Sequence, residues 1–360
     1  MERAFNAAKR ACYAGLDSVA LRREITNRVA CAVPFDAYAF STCDPDTAIM
    51  SHTVSEGVPA VLGRTYVEML YPKVVLHSRS HDARNPARVF SIADEHPVVG
   101  SVFRSHGMRD EVHVSVAGAG RLWGTWCLMR STPSTMTAKK HFAFLERLAP
   151  HIARGLQSAA LIDRALAERN SSPAESGPGV IVLDSANRPT LRTGRATTWL
   201  ADLRDLGMAM PDDVPLSVIS LAARLRRSEC QNSEVHVRAR GLSGRWYTLR
   251  ASLSLPSVSG DNSVVVVIRP AMPIEVATIL TQLYGFSARE REVIAAVARG
   301  ESTKAIAACL GVSPHTVTEH IDRACEKLGV RGRKALIAKL FFDGYAPNLK
   351  NEKPTLSVAS

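Results

Sequence analysis

Between Leu310 and Pro314 the chain reads Gly311-Val312-Ser313, a tripeptide that separates two stretches of helical periodicity by one tight turn. Glycine supplies the left-handed conformation that ends a helix without steric cost. Serine followed by proline starts the next helix, the hydroxyl capping free amides while the proline sits where no amide partner is needed. Val312 is expected to plug the core under the turn. Upstream, Ser302 caps a short helix from Thr303 to Leu310 that carries Ile306, Ala307 and Leu310 on one face. Before it, Ser287-Ala288-Arg289-Glu290 has the form of a capping box and opens a helix that buries Val293, Ile294 and Val297 and ends near Arg299-Gly300. A third helix runs from Pro314 to about Leu328 and a fourth from Arg333 to Phe342. Residues 274–345 are therefore expected to form an all-α domain of four helices, followed by a polar, disordered tail at 346–360.

In the third helix Val317, Ile321, Ala324 and Leu328 make one apolar stripe. Thr316, His320, Arg323 and Lys327 repeat that spacing one position earlier, about 100° round the helix. A solvated face has the same pattern. What points beyond solvation is the short helix and glycine turn in front, which let one helix brace on phosphates while the next enters a groove of helix width.

The runs Phe286-Ser287-Ala288-Arg289-Glu290-Arg291-Glu292-Val293, Ser302-Thr303-Lys304-Ala305-Ile306-Ala307, Leu310-Gly311-Val312-Ser313, Thr316-Val317…His320 and Lys327-Leu328-Gly329-Val330 resemble the LuxR-type helix-turn-helix of transcription regulators. The resemblance implies that Ser302, Thr303 and Lys304 contact phosphates, that Thr316, Thr318, Glu319, His320 and Arg323 line the recognition surface, and that the last helix carries dimer contacts. Ser313, His315, Lys327, Arg331 and Arg333 complete the expected DNA-binding set. Two positions depart from the family pattern, Thr318 where a lysine is frequent and Ala305 where an acid is frequent. Residues 281–343 hold ten Lys/Arg against seven Asp/Glu, a surplus of +3, so sequence-independent affinity from counterion release is expected to be moderate. Glu319 either accepts from a cytosine amino group or repels stray phosphates.

Two α+β blocks precede this domain. The first, residues 1–168, opens with a helical pattern at Val19, Leu21, Ile25 and Val29, then turns strand-like from Ala37 to Phe40 before the turn Cys43-Asp44-Pro45-Asp46. Strands at Glu111–Val116 and Leu122–Met129 are joined as a hairpin through Gly118-Ala119-Gly120, and a helix over 138–168 closes the block. Residues 169–178, rich in Ser, Pro and Gly, read as a linker. The second block, 179–270, has a strand at Val180–Leu183, a helix-prone stretch from Ala196 to Leu206, and strands at Val235–Ala239, Trp246–Leu255 and Val264–Ile268. Residues 34–50 and 122–130 resemble the opening and late central strands of a GAF domain, and 180–206 resembles the start of a PAS domain. Both resemblances imply a sensory or dimerisation module. Tyr38, Phe40, Trp123 and Trp126 are the candidate ligand-pocket residues, with core packing the alternative reading. Trp123 and Trp126 stand in odd register along a strand, so only one of them is expected to face inward.

The whole chain of 360 residues carries a net charge of +11, which favours a polyanionic partner. Seven cysteines at wide, irregular spacing suit reduced thiols in a cytoplasm; the first residues have no apolar h-region, so a signal peptide is not expected, and no run approaches about 18 uncharged apolar residues. Eight of the eleven histidines precede residue 160, but His77 and His81 are the only pair at ligand spacing, amid Arg79, Arg84 and Arg88. No metal and no cofactor is expected, and with no glycine-rich phosphate loop and no G-x-S-x-G an enzyme is not expected either. Asp184 after an apolar strand lacks the acidic pair of a phosphoacceptor receiver, and the Trp/Tyr/Asp signature of an acyl-homoserine-lactone domain is missing. The expected partners are double-stranded DNA, a second copy of the chain, a small-molecule effector and RNA polymerase. The alternatives are a co-regulator that heterodimerises and binds DNA weakly by itself, or an enzyme with an uncatalogued site.

Overall fold

Two sheets of the same plan make up the N-terminal part of the computed structural model, which describes residues 1–70, 88–91, 97–118, 120–132, 135–170, 177–208, 210–227, 234–254, 263–272, 275–276, 279 and 284–342. The centre of the linker (171–176), His77 and His81, the loop 258–262 and the tail 346–360 lie outside the described residues.

The chain opens with α1 (Glu2–Ala11) and α2 (Ser18–Ala30), the latter capped by Asp17, whose carboxylate accepts the amides of Val19 and Ala20. β1 (Ala37–Cys43) and β2 (Met50–Glu56) form a hairpin around Asp44, whose Oδ1 takes the Asp46 amide at 2.9 Å. Next come α3 (Ala60–Thr65), a π-helical turn (Tyr66–Leu70), β3 (Arg88–Phe90) and α4 (Pro97–Ser105). β4 (Asp110–Gly118) and β5 (Arg121–Arg130) complete an antiparallel sheet in the order β2-β1-β5-β4-β3. The long α5 (Lys139–Asn170) buries Leu145, Leu148, Ile152 and Leu156. It lies against this sheet where side chains are missing: Leu156 sits over Gly124 and Ala153 over Gly118.

The second sheet is built from β6 (Gly179–Leu183), β7 (Pro189–Arg192), α6 (Gly194–Asp202), α7 (Leu216–Arg226), β8 (Val235–Arg240), β9 (Trp246–Leu253) and β10 (Val264–Pro270). Its order, β7-β6-β10-β9-β8, repeats that of the first sheet strand for strand. The helix expected over Ala196–Leu206 stops at Asp202. Helical propensity is overridden because the next residues leave to pair with the edge of β2: Leu206 donates to the Thr53 carbonyl at 2.9 Å and the Ser55 amide donates to Leu206 at 2.8 Å.

The composition break at 169–178 marks where one sheet ends and the next begins, yet both sheets belong to one compact unit ending at Pro270. The seam is polar as well as apolar. Arg238 of β8, nearly buried, donates through Nη2 and Nε to the Asp44 carboxylate at 2.7 and 2.9 Å and reaches Asp46 as well. Asp205 accepts the amides of Thr53 and Leu216, each at 2.7 Å. The C-terminal unit holds α8 (Ala288–Ala298), α9 (Thr303–Leu310), α10 (Pro314–Leu328) and α11 (Arg333–Ile337), the last continued by a π-helical turn (Ala338–Phe342).

Candidate nucleic-acid interface

Each helix boundary in the C-terminal unit has a local cause. Ser287 Oγ accepts the Glu290 amide at 3.2 Å while Glu290 Oε2 accepts the Ser287 amide at 2.7 Å, closing the capping box of α8. Ser302 Oγ accepts the Ala305 amide at 3.2 Å and starts α9. Gly311 ends α9 at φ 65°, and the Val312 amide turns back to the Ala307 carbonyl at 3.0 Å. Ser313 Oγ then accepts the Thr316 amide at 3.1 Å, and α10 runs from Pro314 to a second left-handed glycine, Gly329. Val312 is half-buried rather than a core plug, because the same turn that places its amide leaves its side chain at the edge.

The apolar stripe of α10 is buried throughout, at Val317, Ile321, Ala324 and Leu328, together with Ile306 and Ala307 of α9 and Val293, Ile294 and Val297 of α8. This packing leaves the opposite side of α10 outward. His315, Thr318, Glu319 and Arg323 are exposed there, with Thr316 and His320 half-buried beside them. Glu319 lies between two bases one turn away on either side, 3.5 Å from His315 Nε2 and 3.9 Å from Arg323 Nη2. The Thr318 hydroxyl donates back to the Pro314 carbonyl at 3.1 Å. Ser302 and Lys304 are exposed at the start of α9, Thr303 is half-buried, and Arg331 is exposed.

Two residues expected on the DNA side are engaged within the unit itself. Lys327 Nζ donates to Glu290 Oε2 at 2.6 Å and to the Gly285 carbonyl at 3.1 Å. Burial works to raise the Glu290 carboxyl, but hydrogen bonds from Lys327 and the Ser287 amide outweigh it and hold the group below the ordinary glutamate value. Arg333 donates to the Glu301 carbonyl, tying α11 to the segment in front of α9. Helical spacing alone put Lys327 with Thr316, His320 and Arg323; its partner, Glu290, is distant in sequence and leaves no mark in the local pattern.

In the first sheet the four aromatic candidates are all buried. Phe40 and Trp126 stack with ring centres 5.0 Å apart on the face covered by helices. The register shift in β4 between Val116 and Ala117 leaves Trp123 unopposed in β5, so alternation breaks there. Trp123 Nε1 donates to the Gly118 carbonyl at 3.2 Å, and both tryptophans are enclosed where simple alternation allowed one. A cavity opens on the other side of the sheet, among Ser41, Thr53, Thr125, Cys127 and Tyr66, and none of the four candidates lines it.

Residues 285–340 match the family described as bacterial regulatory proteins, luxR family. The probable transcriptional regulatory protein NarL of Mycobacterium tuberculosis (strain CDC 1551 / Oshkosh) is 55% identical over 53 residues, 15% of this chain and 24% of NarL. The spore germination protein GerE of Bacillus subtilis (strain 168) is 44% identical over 52 residues, 14% of this chain and 70% of GerE. The chain thus spans about a quarter of the length of NarL. Among solved structures, the Vibrio cholera VqmA–ligand–DNA complex is 16% identical, covers 47% of this chain and 83% of that one, and has a TM-score of 0.25, too low to bear on how this chain folds.

Proposed function

Because this chain belongs to the luxR family of bacterial regulatory proteins, we propose that it is a homodimeric transcription regulator that reads a specific duplex sequence with α10 and takes its instruction from a signal sensed by the two N-terminal sheets. The observation that carries this reading is the outward row His315, Thr316, Glu319, His320 and Arg323, backed by a fully buried stripe and preceded by a left-handed glycine turn. Ser302, Thr303 and Lys304 at the start of α9 sit where amides and a cation meet phosphate. Arg323 is the residue best suited to a base edge, being exposed and bound only loosely by Glu319. Ser313 caps α10, and Thr318 has its hydroxyl turned to the backbone, so both act by shaping the helix. The equal strand order of the two sheets supports a pair of sensory modules, GAF-like then PAS-like. A homodimer joined through α5 and α11 would set the distance between two recognition helices.

Selection of bound sequences from random duplex DNA tests this, with Arg323→Ala run beside the parent protein. Enrichment of a two-fold symmetric site that the substitution weakens is the expected result; enrichment of no sequence refutes site-specific binding by this chain alone. A second reading has one observation in its favour. With Lys327 and Arg333 engaged internally and a surplus of only +3 over residues 281–343, the domain suits a co-regulator that needs a partner chain to hold DNA. It predicts enrichment only in the presence of that second regulator.

A further inference from the structure

An open cleft of about 350 Å³ lies in the second block, between the outward face of α6 and the segment that joins α6 to α7. Its floor is apolar, with Leu200, Met208, Met210 and Val214 all buried. Its rim is charged. Arg192 at the end of β7, Arg204 just after α6 and Asp213 just before α7 line it, the last two exposed. Arg192 donates to the Asp212 carbonyl. The Arg204 guanidinium and the Asp213 carboxylate have no side-chain partner among the described residues; they line one cleft without meeting within the 4.0 Å of an ion pair. Asp205 also lines the cleft, but its two oxygens are taken by the amides of Thr53 and Leu216, each at 2.7 Å. On the acidic side the backbone is unusual: Asp212 and Asp213 are consecutive left-handed residues, at φ 61° and 52°. Strain of this kind is retained mainly where a side chain is held in place for a ligand.

We infer that this cleft binds a small zwitterion with an apolar side chain, chemically an amino acid. Its carboxylate meets Arg204, its ammonium meets Asp213, and its side chain covers the floor. The inference rests on reading the N-terminal unit as the part that senses a signal. Volume sets the size: a cavity of roughly 150 Å³ accepts benzene, so about 350 Å³ takes a ring or branched chain together with its charged head. Charge sets the head. Two arginines face two aspartates, so a simple anion is drawn to Arg192 and Arg204 but repelled by Asp213, and a simple cation meets the reverse. A ligand bearing both signs satisfies Arg204 and Asp213 together, across a gap that the two side chains leave unclosed. Exposure of the rim keeps that head partly hydrated, which spares it the cost of burying ions. The neighbouring charges are otherwise disposed. Asp212 is exposed and not part of the lining, Asp202 accepts from Ser243 and Tyr247, and Arg22, which acts on Asp205, donates to the Phe40 and His52 carbonyls. Asp205 links the cleft to the rest of the unit, since the same carboxylate holds β2 and the start of α7.

The test uses the full chain carrying ¹³C-methyl methionine, titrated in turn with L-phenylalanine, 3-phenylpropionate, phenethylamine and glycine. L-Phenylalanine is expected to move the methyl signals of Met208 and Met210 saturably and leave the exposed Met272 unmoved. The other probes lack the ammonium, the carboxylate and the side chain respectively, and each should bind at least about tenfold more weakly. Asp213→Asn retains a residue that tolerates a left-handed backbone, and should weaken L-phenylalanine about tenfold without weakening 3-phenylpropionate. Arg204→Gln should weaken L-phenylalanine by a similar factor without weakening phenethylamine. Both positions are exposed, so neither variant disturbs the core. Methyls unmoved by every probe overturn the proposal, as does 3-phenylpropionate or phenethylamine binding as tightly as the amino acid. Binding of the selected operator is measured on the same samples. Silent methyls with intact DNA binding sink the cleft alone, whereas responsive methyls with no DNA binding sink the regulator and leave the cleft standing.

Discussion

Gly207→Ala should separate the two N-terminal sheets more cleanly than any substitution in their cores. Gly207 has φ +83°, and a Cβ there would lie 1.7 Å from the Ser55 carbonyl oxygen and 2.7 Å from its carbon. Both are backbone atoms in a paired strand, so the collision is relieved only by lifting residues 205–207 off β2. Two costs add. Left-handed strain for alanine is ~1–2 kcal/mol. Loss of the two backbone hydrogen bonds of the bridge, at 2.8 and 2.9 Å, costs ~1 kcal/mol each. The sum, about 3–4 kcal/mol, is a large part of the stability of an ordinary domain and corresponds to a fall in Tm of roughly 10 °C. Gly107 provides the control: it has the same φ of +83° but nothing within 4 Å of an added Cβ, so Gly107→Ala pays the strain alone. Thermal unfolding of the two variants, with native-state hydrogen exchange at the Ser55 and Leu206 amides, reads the difference. Equal losses in the two proteins, with those amides still protected, would show that the bridge does not hold the sheets together.

Arg323→Ala is expected to lower affinity for the selected operator by ~1–3 kcal/mol and relax one base position, whereas Lys304→Ala should weaken all sequences alike and reduce the salt slope by about 1, both measurable by binding titrations across salt. Lys327→Met should leave operator contacts unchanged and destabilise the C-terminal unit by ~1 kcal/mol, a modest figure because the lysine is partly exposed and screened. The Glu290 carboxyl is held below its ordinary 4.5, so its contribution is present above that pH and is lost as the solution is acidified through the folded value; in Lys327→Met this acid sensitivity should shrink. Asp205 behaves in the opposite sense. Burial raises its carboxyl from 3.8 to about 6 against the pull of the Leu216 and Thr53 amides, so it favours the folded state below 3.8 and that gain disappears as pH rises through 6. The side-chain carboxyl ¹³C shift of Asp205 should titrate near 6, and titration below 4 would contradict its burial in the seam.

Legibility in the sequence tracked the range of the interactions. In the C-terminal unit the boundaries are set by residues within one turn of the feature they create: Ser287 with Glu290, Ser302 with Ala305, Gly311 and Gly329 with their own φ. The helices, the buried stripe and the outward row could all be read from spacing. Lys327 could not, because what claims it is a carboxylate in another helix. The N-terminal unit inverts the balance. β2, Met50-Ser51-His52-Thr53-Val54-Ser55-Glu56, is mostly polar and has no period of two to find, since six of its seven residues are buried. The end of α6 depends on β2, and the bulge at Trp123 depends on β4. The aromatic candidates Tyr38, Phe40, Trp123 and Trp126 are buried in the core, while the cavity is lined in part by hydroxyls that sequence patterning treats as surface.

The polar seam argues that the two sheets behave as one body. Arg238 and Asp44 are both nearly buried, and taking such a pair out of water costs several kcal/mol per ion before its attraction repays any of it. If either partner moved away, the other would be left as an uncompensated charge in a dry interior. Apolar packing yields to sliding, whereas a bidentate clamp reinforced by the Arg238 amide to Asp44 at 2.8 Å resists it.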